Sequence, residues 1–360
     1  MKSARIAQLD VIRTVAIISV VLCHSLEAIY RLNATAMADY PPGNKLFLMS
    51  MMVVGRIGVP LFIFLTGFLL LPRDYSNWTK IRLFYKRHLL PLLVCWLIWI
   101  VVYNIFLSLV GTRDFDLFSM MRQLFLVEAV PMSHSWYMGM IIGVYLFIPI
   151  VSNIIKKLPI GVIFSFLGLS FVMFFILPCV NYYFAAIGNE LRINSVMDLS
   201  FSGGVYGLYL ITGYLFYIFK SKLKALSFAF KLVLTSLAML YFCFTVLFIY
   251  KSYFGYNPMH GLWYDFPTLP IMASVIFVLL YTIKIKPSNL FYYISIFSFG
   301  IYLTHRVIQI LLMRLFPQFA VKPIIKFGAL LLVSFALSYI TVWIIHKVAP
   351  KISKILFLTK

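Results

Sequence analysis

Residues 46–72, LFLMSMMVVGRIGVPLFIFLTGFLLLP, decide the fold of this chain. They contain one charged side chain, Arg56, and as a helix they are long enough to cross the ~30 Å hydrocarbon layer of a bilayer. Apolar stretches of similar character recur along the sequence. We predict ten membrane-spanning helices, at about residues 11–30, 46–72, 89–110, 135–155, 160–180, 199–219, 230–250, 268–283, 290–313 and 323–346.

The composition of the whole chain agrees with a membrane protein. Of 360 residues, 63% are hydrophobic and 11% are charged, whereas charged residues make up about a quarter of a soluble domain. The apolar segments are continuous rather than alternating, which excludes a transmembrane β-barrel. We therefore predict an all-α, polytopic integral membrane helical bundle. Residues 1–360 are expected to form a single transmembrane domain with no separate soluble domain.

The distribution of Lys and Arg predicts how the chain is oriented. With a cytoplasmic N-terminus, 19 of the 31 basic residues fall on the inner side, 9 on the outer side and 3 within spans. This bias is the topology signal of membrane proteins, and it places both termini in the cytoplasm. The net charge of +21 is thus explained by membrane topology, and we expect membrane lipid rather than nucleic acid as a partner.

Polar groups within the first span are candidates for function, because charge inside a bilayer is costly. Arg13 and His24 are 11 residues apart, so on a helix they share one face and lie about 16 Å apart along the axis. We expect Asp10, three residues before Arg13, to pair with it. The alternative is a snorkelling arginine together with a histidine that bonds to a backbone carbonyl.

Three further intramembrane candidates are His134, His305 and Arg56. The histidines lack the i, i+4 spacing of a helical metal-ligand pair, so we expect acid–base chemistry and no metal. Arg56 lies between Gly55 and Gly58, which allow a second helix or a ligand to approach closely.

A basic cluster, Lys80, Arg82, Lys86 and Arg87 with His88, precedes the third predicted span on the inner side. It is either a topology signal that also contacts anionic lipid, or a site for the phosphates of a cytoplasmic ligand. The charge pattern alone favours neither interpretation. The sequence contains no Walker loop and no GxGxxG motif, which argues against a nucleotide-driven pump.

Four stretches in order resemble the membrane acyltransferase-3 family, the integral membrane O-acyltransferases that modify bacterial surface polysaccharides and related glycans. Residues 9–25 resemble its opening motif, in which ten residues separate an Arg from a His. Residues 58–68, GVPLFIFLTGF, resemble its G-V-x-L-F-x-x-x-[ST]-G-F segment, and 134–149 resemble its H-x-W-[FY] entry to a later helix. Residues 298–305, SFGIYLTH, are similar to its S-[FY]-G-I-Y-L-x-H stretch. The valine-proline at 59–60 is more like the glycan O-acetyltransferases and intercellular-adhesin succinyltransferases.

This resemblance implies a reaction and a location. An acyl group, acetyl by default and succinyl next, would pass from cytoplasmic acyl-coenzyme A to a hydroxyl of a surface polysaccharide or lipid-linked glycan. The enzyme would be a multi-pass protein of the bacterial inner (cytoplasmic) membrane. An extended pantetheine arm has about the length that separates Arg13 from His24.

For such a reaction we hypothesise a role for each candidate residue. His24 would be the general base, and His134, His305 and Arg56 would orient the acceptor or stabilise the developing oxyanion. The remaining expected contacts are with the coenzyme A phosphates (Arg13, Arg82, Lys86 and Arg87) and with the substrate (Arg56, Trp136 and Tyr137). Two other classes stay open: a transporter or flippase for an anionic or lipid-linked glycan, and a non-catalytic partner in an envelope assembly.

Overall fold

The computed structural model describes residues 5–30, 32, 39–189, 191–193, 203–252, 263–315 and 321–359. These residues form helices and connecting segments with no β-strand, which confirms the all-α prediction. Two π-helical turns, Tyr85–Leu89 and Val172–Ile176, interrupt the α-helices. In chain order the α-helices are α1 (Ala7–Ile29), α2 (Pro42–Arg56), α3 (Gly58–Leu70), α4 (Trp78–Phe84), α5 (Leu90–Leu109), α6 (Leu117–Leu124), α7 (Trp136–Ile155), α8 (Ile160–Phe171), α9 (Leu177–Ala186), α10 (Gly204–Ile218), α11 (Lys220–Lys224), α12 (Phe228–Ser252), α13 (Thr268–Thr282), α14 (Asn289–Leu315), α15 (Pro323–Val348) and α16 (Pro350–Phe357).

The predicted spans fall on these helices. In the described part of the chain, eight helical stretches are long and apolar enough to cross a membrane. The other two predicted spans, 199–219 and 268–283, fall on α10 and α13, apolar helices of 15 residues each, and residues 199–202 lie outside the described residues. The protein is therefore a polytopic helical membrane protein.

Two helices break or begin at positions that the predicted spans do not show. The second span is broken at Ile57, between α2 and α3. Pro60 has no amide hydrogen to donate to the carbonyl of Arg56, which accounts for a break at this point. The helix that carries the third predicted span begins at Trp78, before the span itself, because the Asn77 side chain caps the helix by accepting from the Lys80 amide at 3.0 Å.

The chain divides into two compact units. Unit 1 comprises residues 1–72 and 155–295, and unit 2 comprises residues 73–154 and 296–360. In unit 1, α1 packs against α2, α3 and α13, and α3 packs against α10. In unit 2, α16 packs against α5 and α15, and the Trp99 indole donates to the carbonyl of Leu356 at 2.8 Å.

Glycines allow close contacts between helices in unit 1. A Cβ on Gly67 of α3 would collide with the carbonyl oxygen of Leu210 in α10, and a Cβ on Gly213 would collide with the carbonyl oxygen of Phe64. The two helices therefore cross with their backbones in contact, as small residues allow in membrane proteins.

Candidate active site

His24 of α1 forms an acid–base pair with a carboxylate one helical turn away. Its Nδ1 lies 2.8 Å from Oε2 of Glu27, the i+3 position that faces the same side of the helix. An ionised carboxylate only accepts hydrogen bonds, so Nδ1 carries the hydrogen. In the neutral imidazole this leaves the lone pair on Nε2, the atom that can take a proton from a substrate.

Arg56, at the C-terminal end of α2, is the second charged group at this site. Its side chain is 3% exposed, and its Nη2 lies 4.0 Å from Oε1 of Glu27. The guanidinium carbon lies 4.6 Å from the ring centroid of Trp263 and 5.8 Å from that of Tyr264. Nε and Nη1 have no hydrogen-bond partner among the residues that the structure describes.

Backbone packing places Arg56 at the level of His24. A Cβ on Gly55 would lie 2.9 Å from Cα of Cys23, so the backbones of α1 and α2 approach each other closely at these two residues. Each of the two directly precedes a candidate residue, Arg56 in α2 and His24 in α1. The close approach predicted from the glycines beside Arg56 is thus confirmed. Glu27 joins the two candidates, since one of its oxygens faces His24 and the other faces Arg56.

Arg13 belongs to a separate polar network near the start of α1. The expected partner, Asp10, is held by Arg5 through two hydrogen bonds of 2.7 Å. Ser295 stands between Asp10 and Arg13: its hydroxyl donates to Oδ1 of Asp10 at 2.8 Å and accepts from Nη1 of Arg13 at 3.1 Å. Ser295 therefore links Arg13 to the ion pair of Arg5 and Asp10.

In unit 2, His134 and His305 form one buried cluster. They are 1% and 0% exposed, and their ring centroids are 5.1 Å apart. The Tyr103 hydroxyl donates to the carbonyl of Leu303 at 2.8 Å and lies 3.1 Å from Nε2 of His134, so Nε2 must supply the hydrogen of that second bond. His305 has the opposite tautomer, because its Nδ1 faces the carbonyl of Tyr302 at 2.6 Å.

The two aromatic residues that were predicted to contact the substrate lie next to this cluster. Trp136 and Tyr137 open α7, with their rings edge to face and centroids 6.2 Å apart. The Tyr137 ring meets Tyr302 at 5.3 Å, and the Tyr302 hydroxyl donates to the carbonyl of His134 at 2.7 Å. Both predicted aromatics are half-buried.

The basic cluster of unit 2 lies on a helix rather than in a loop. Arg82 is on α4, Lys86 and Arg87 are on the π-turn that follows, and all three side chains are exposed. Lys80 has a different role, since it is bonded to Asp74, and this contact holds the pKa of the carboxyl well below its ordinary value. The π-turn interrupts the regular helix where the cationic side chains follow one another, a feature common at functional sites.

Several site residues were missed by the sequence analysis. Glu27 follows His24 by three residues, and this spacing was the available signal. Trp263, Ser295 and Tyr103 carry no comparable signal, because each meets its partner through helix packing. Among the described residues, no group of three or more His, Cys, Asp and Glu is placed to hold a metal ion.

The spanning helices and the His24–Glu27 pair define a membrane protein with groups suited to proton transfer. A family model described as an acyltransferase domain, acyltransferase-3, matches residues 6–343. The chain belongs to the membrane acyltransferase-3 family and is an acyltransferase that transfers groups other than aminoacyl groups. No curated protein and no solved structure matches it significantly.

Proposed function

We propose that the protein is an O-acyltransferase that moves an acetyl or other short acyl group from cytoplasmic acyl-coenzyme A to a hydroxyl of a surface polysaccharide or lipid-linked glycan. The observation that carries the proposal is the 2.8 Å contact between Nδ1 of His24 and the Glu27 carboxylate. Acyl transfer from a thioester to an alcohol needs a base for the hydroxyl proton, and a neutral imidazole suits this role near pH 7.

In the proposed reaction, the acceptor hydroxyl oxygen attacks the thioester carbonyl carbon while its proton moves to Nε2 of His24. Glu27 holds the ring through Nδ1 and stabilises the imidazolium that forms, as the aspartate does in hydrolase triads. Collapse of the tetrahedral intermediate expels the coenzyme A thiolate, which takes the proton from His24. The products are the acyl ester and free coenzyme A, and the histidine returns to its starting state.

The donor phosphates are assigned to cationic side chains on the predicted cytoplasmic side. Arg13 supplies a positive charge that Ser295 orients, and charge-assisted bonds to phosphate suit a guanidinium. Arg82, Lys86 and Arg87 are assigned the same kind of contact, which their exposure supports. Trp136 and Tyr137 are proposed to meet the sugar ring of the acceptor, and His134 and His305 to orient it.

The proposed location is the bacterial cytoplasmic membrane, where acyl-coenzyme A is available on one face. Purified protein in nanodiscs, supplied with labelled acetyl-coenzyme A and a membrane glycan extract, should transfer label to the glycan without an ion gradient. Mass analysis of surface glycans from cells with and without the gene would identify the acyl group. Absence of transfer with every acyl donor tried would contradict the proposal.

A transporter or flippase for an anionic or lipid-linked glycan is the second candidate. The observation in its favour is Arg56, a buried cation inside a span. A transporter would respond to an imposed proton gradient and would not bind coenzyme A. Binding of coenzyme A together with gradient-independent acyl transfer would therefore decide for the enzyme.

Glu27→Gln tests how the base is held. Glutamine keeps the length of the side chain but removes the negative charge, and its amide can donate to Nδ1 and so force the wrong tautomer. We expect kcat to fall on the order of a hundredfold or more, with the KM for the acyl donor unchanged. Steady-state kinetics at several donor concentrations would measure both constants, and an unchanged kcat would exclude the role given to Glu27.

Arg13→Ala should chiefly weaken binding of the acyl donor, because Arg13 is assigned to its phosphates. We expect a rise of about tenfold or more in the KM for acyl-coenzyme A, equivalent to losing one charge-assisted contact of ~1.5 kcal/mol or more. Arg13→Lys should recover part of the loss. Lys157→Ala is the matched control, since Lys157 is an exposed cation of the same unit on the same predicted membrane side. Equal donor dependence in Arg13→Ala and Lys157→Ala would refute the assignment.

A further inference from the structure

The buried guanidinium of Arg56 is a group that the proton transfer leaves unused. Its Nε and Nη1 together carry three N–H donors, and neither atom has a hydrogen-bond partner among the described residues. Burying a charged group in this state is costly, since its donors have lost water without gaining acceptors. Such donors are suited to an anion that forms only during the reaction.

The charges around Glu27 favour this timing. The Glu27 carboxylate lies 2.8 Å from Nδ1 of His24 and 4.0 Å from Nη2 of Arg56, and in the proposed reaction His24 starts as the neutral imidazole. When His24 takes the substrate proton, the carboxylate gains a closer cation in the imidazolium. The Arg56 charge is then offset less by Glu27, at the same moment as a negative charge appears on the substrate.

We propose that Arg56 donates to the thioester carbonyl oxygen of the acyl donor as that oxygen becomes an oxyanion. The inference rests on the proposed function and names the substrate atom that Arg56 contacts. As the acceptor oxygen bonds to the carbonyl carbon, the carbonyl π electrons move to the oxygen and the hydroxyl proton moves to His24. Loss of the coenzyme A thiolate returns those electrons to the carbonyl, and the contact with Arg56 weakens again.

The site holds Arg56 ready before substrate binds. The ring of Trp263 lies against the guanidinium at 4.6 Å, where a π face stabilises a cation without using its N–H groups. The contact between Gly55 and Cys23 fixes the end of α2 against α1. Donors that need no rearrangement stabilise a developing charge most effectively, and removing one such donor typically lowers kcat about 10² to 10³-fold.

The test compares Arg56→Gln and Arg56→Lys with the wild-type enzyme, purified in detergent and assayed with labelled acyl-coenzyme A and the glycan acceptor. We expect Arg56→Gln to lower kcat about 10² to 10³-fold with the donor KM within about threefold. Arg56→Lys keeps the charge and should recover part of kcat. A kcat within about threefold of wild type in Arg56→Gln, or a loss that falls mainly on the donor KM, would overturn the assignment.

Folding and the proposed function are checked separately. Each variant should keep the coenzyme A affinity and the thermal midpoint of the wild type. If Arg56→Gln cannot be recovered folded, Arg56→Lys decides: a kcat lowered about tenfold or more at constant KM supports the role, and an unchanged kcat overturns it. Absence of transfer by the wild type, or full activity in His24→Ala, would instead refute the proposed function.

Discussion

His24→Ala should abolish acyl transfer while the protein remains in the membrane. The substitution removes the imidazole whose Nδ1 is bound to Glu27, and with it the Nε2 lone pair proposed to receive the hydroxyl proton. General-base catalysis by a well-placed side chain contributes about 10² to 10⁴-fold to a rate. Loss of this size would leave acceptor acylation near the background of an assay with labelled acyl-coenzyme A.

The control for this substitution is His346→Ala, another histidine near the end of a span. His346 bonds to the Thr359 hydroxyl at 3.3 Å and has no proposed part in the reaction. Equal expression and thermal stability of the two variants, with activity lost only in His24→Ala, would support the base. Near-normal acylation in His24→Ala would remove His24 from the mechanism, and Glu27 and Arg56 would then lose the group they are proposed to serve.

The sequence predicted the helical class because lipid imposes a simple requirement. A spanning segment must satisfy its own backbone hydrogen bonds and present apolar side chains, and both demands leave long continuous patterns in a sequence. Boundaries follow from finer effects. Asn77 starts a helix through one side-chain bond, and Pro60 breaks one by removing a donor, so helix ends differ from the predicted span edges although, in the part of the chain that the structure describes, each predicted span falls on a helix.

The candidate site was predictable to the extent that its residues share one helix. Arg13 and His24 follow from helical periodicity, and the same arithmetic applies to Glu27. The contact of Arg56 with Trp263 joins residues 207 positions apart, and nothing local in either segment specifies it. The expected Asp10–Arg13 pair shows the same limit, because Arg5 and Ser295 engage the carboxylate of Asp10 instead.

The cluster of His134 and His305 with Tyr103 shows why a list of intramembrane histidines does not define a site. The three side chains come from α5, from the turn before α7 and from α14, and their tautomers depend on carbonyl groups that only the fold brings near. The sequence identified both histidines as polar groups in costly positions. Their packing against each other, and the phenol that holds one of them, required the tertiary structure.

Gly67→Ala should be the most damaging conservative substitution in unit 1. The added Cβ would meet the carbonyl oxygen of Leu210, a backbone atom of α10 that cannot rotate away as a side chain can. Overpacking a core with flexible neighbours costs about 1 to 3 kcal/mol, and separating two helix backbones should exceed that range. We expect a strong loss of monodisperse protein in detergent and a lower thermal midpoint by intrinsic fluorescence.

Gly168→Ala provides the matched comparison, because Gly168 lies within α8 of the same unit and a Cβ there would meet no described atom within 4 Å. Alanine is the better helix former by roughly 1 kcal/mol, so this variant should be as stable as the wild type or slightly more so. Comparing the thermal midpoints of the two variants separates the clash with the α10 backbone from the higher helix propensity of alanine, since both substitutions add the same methyl group to a helical glycine. If Gly67→Ala were as stable as Gly168→Ala, α3 and α10 would not cross at backbone distance, and the packing described for unit 1 would be wrong.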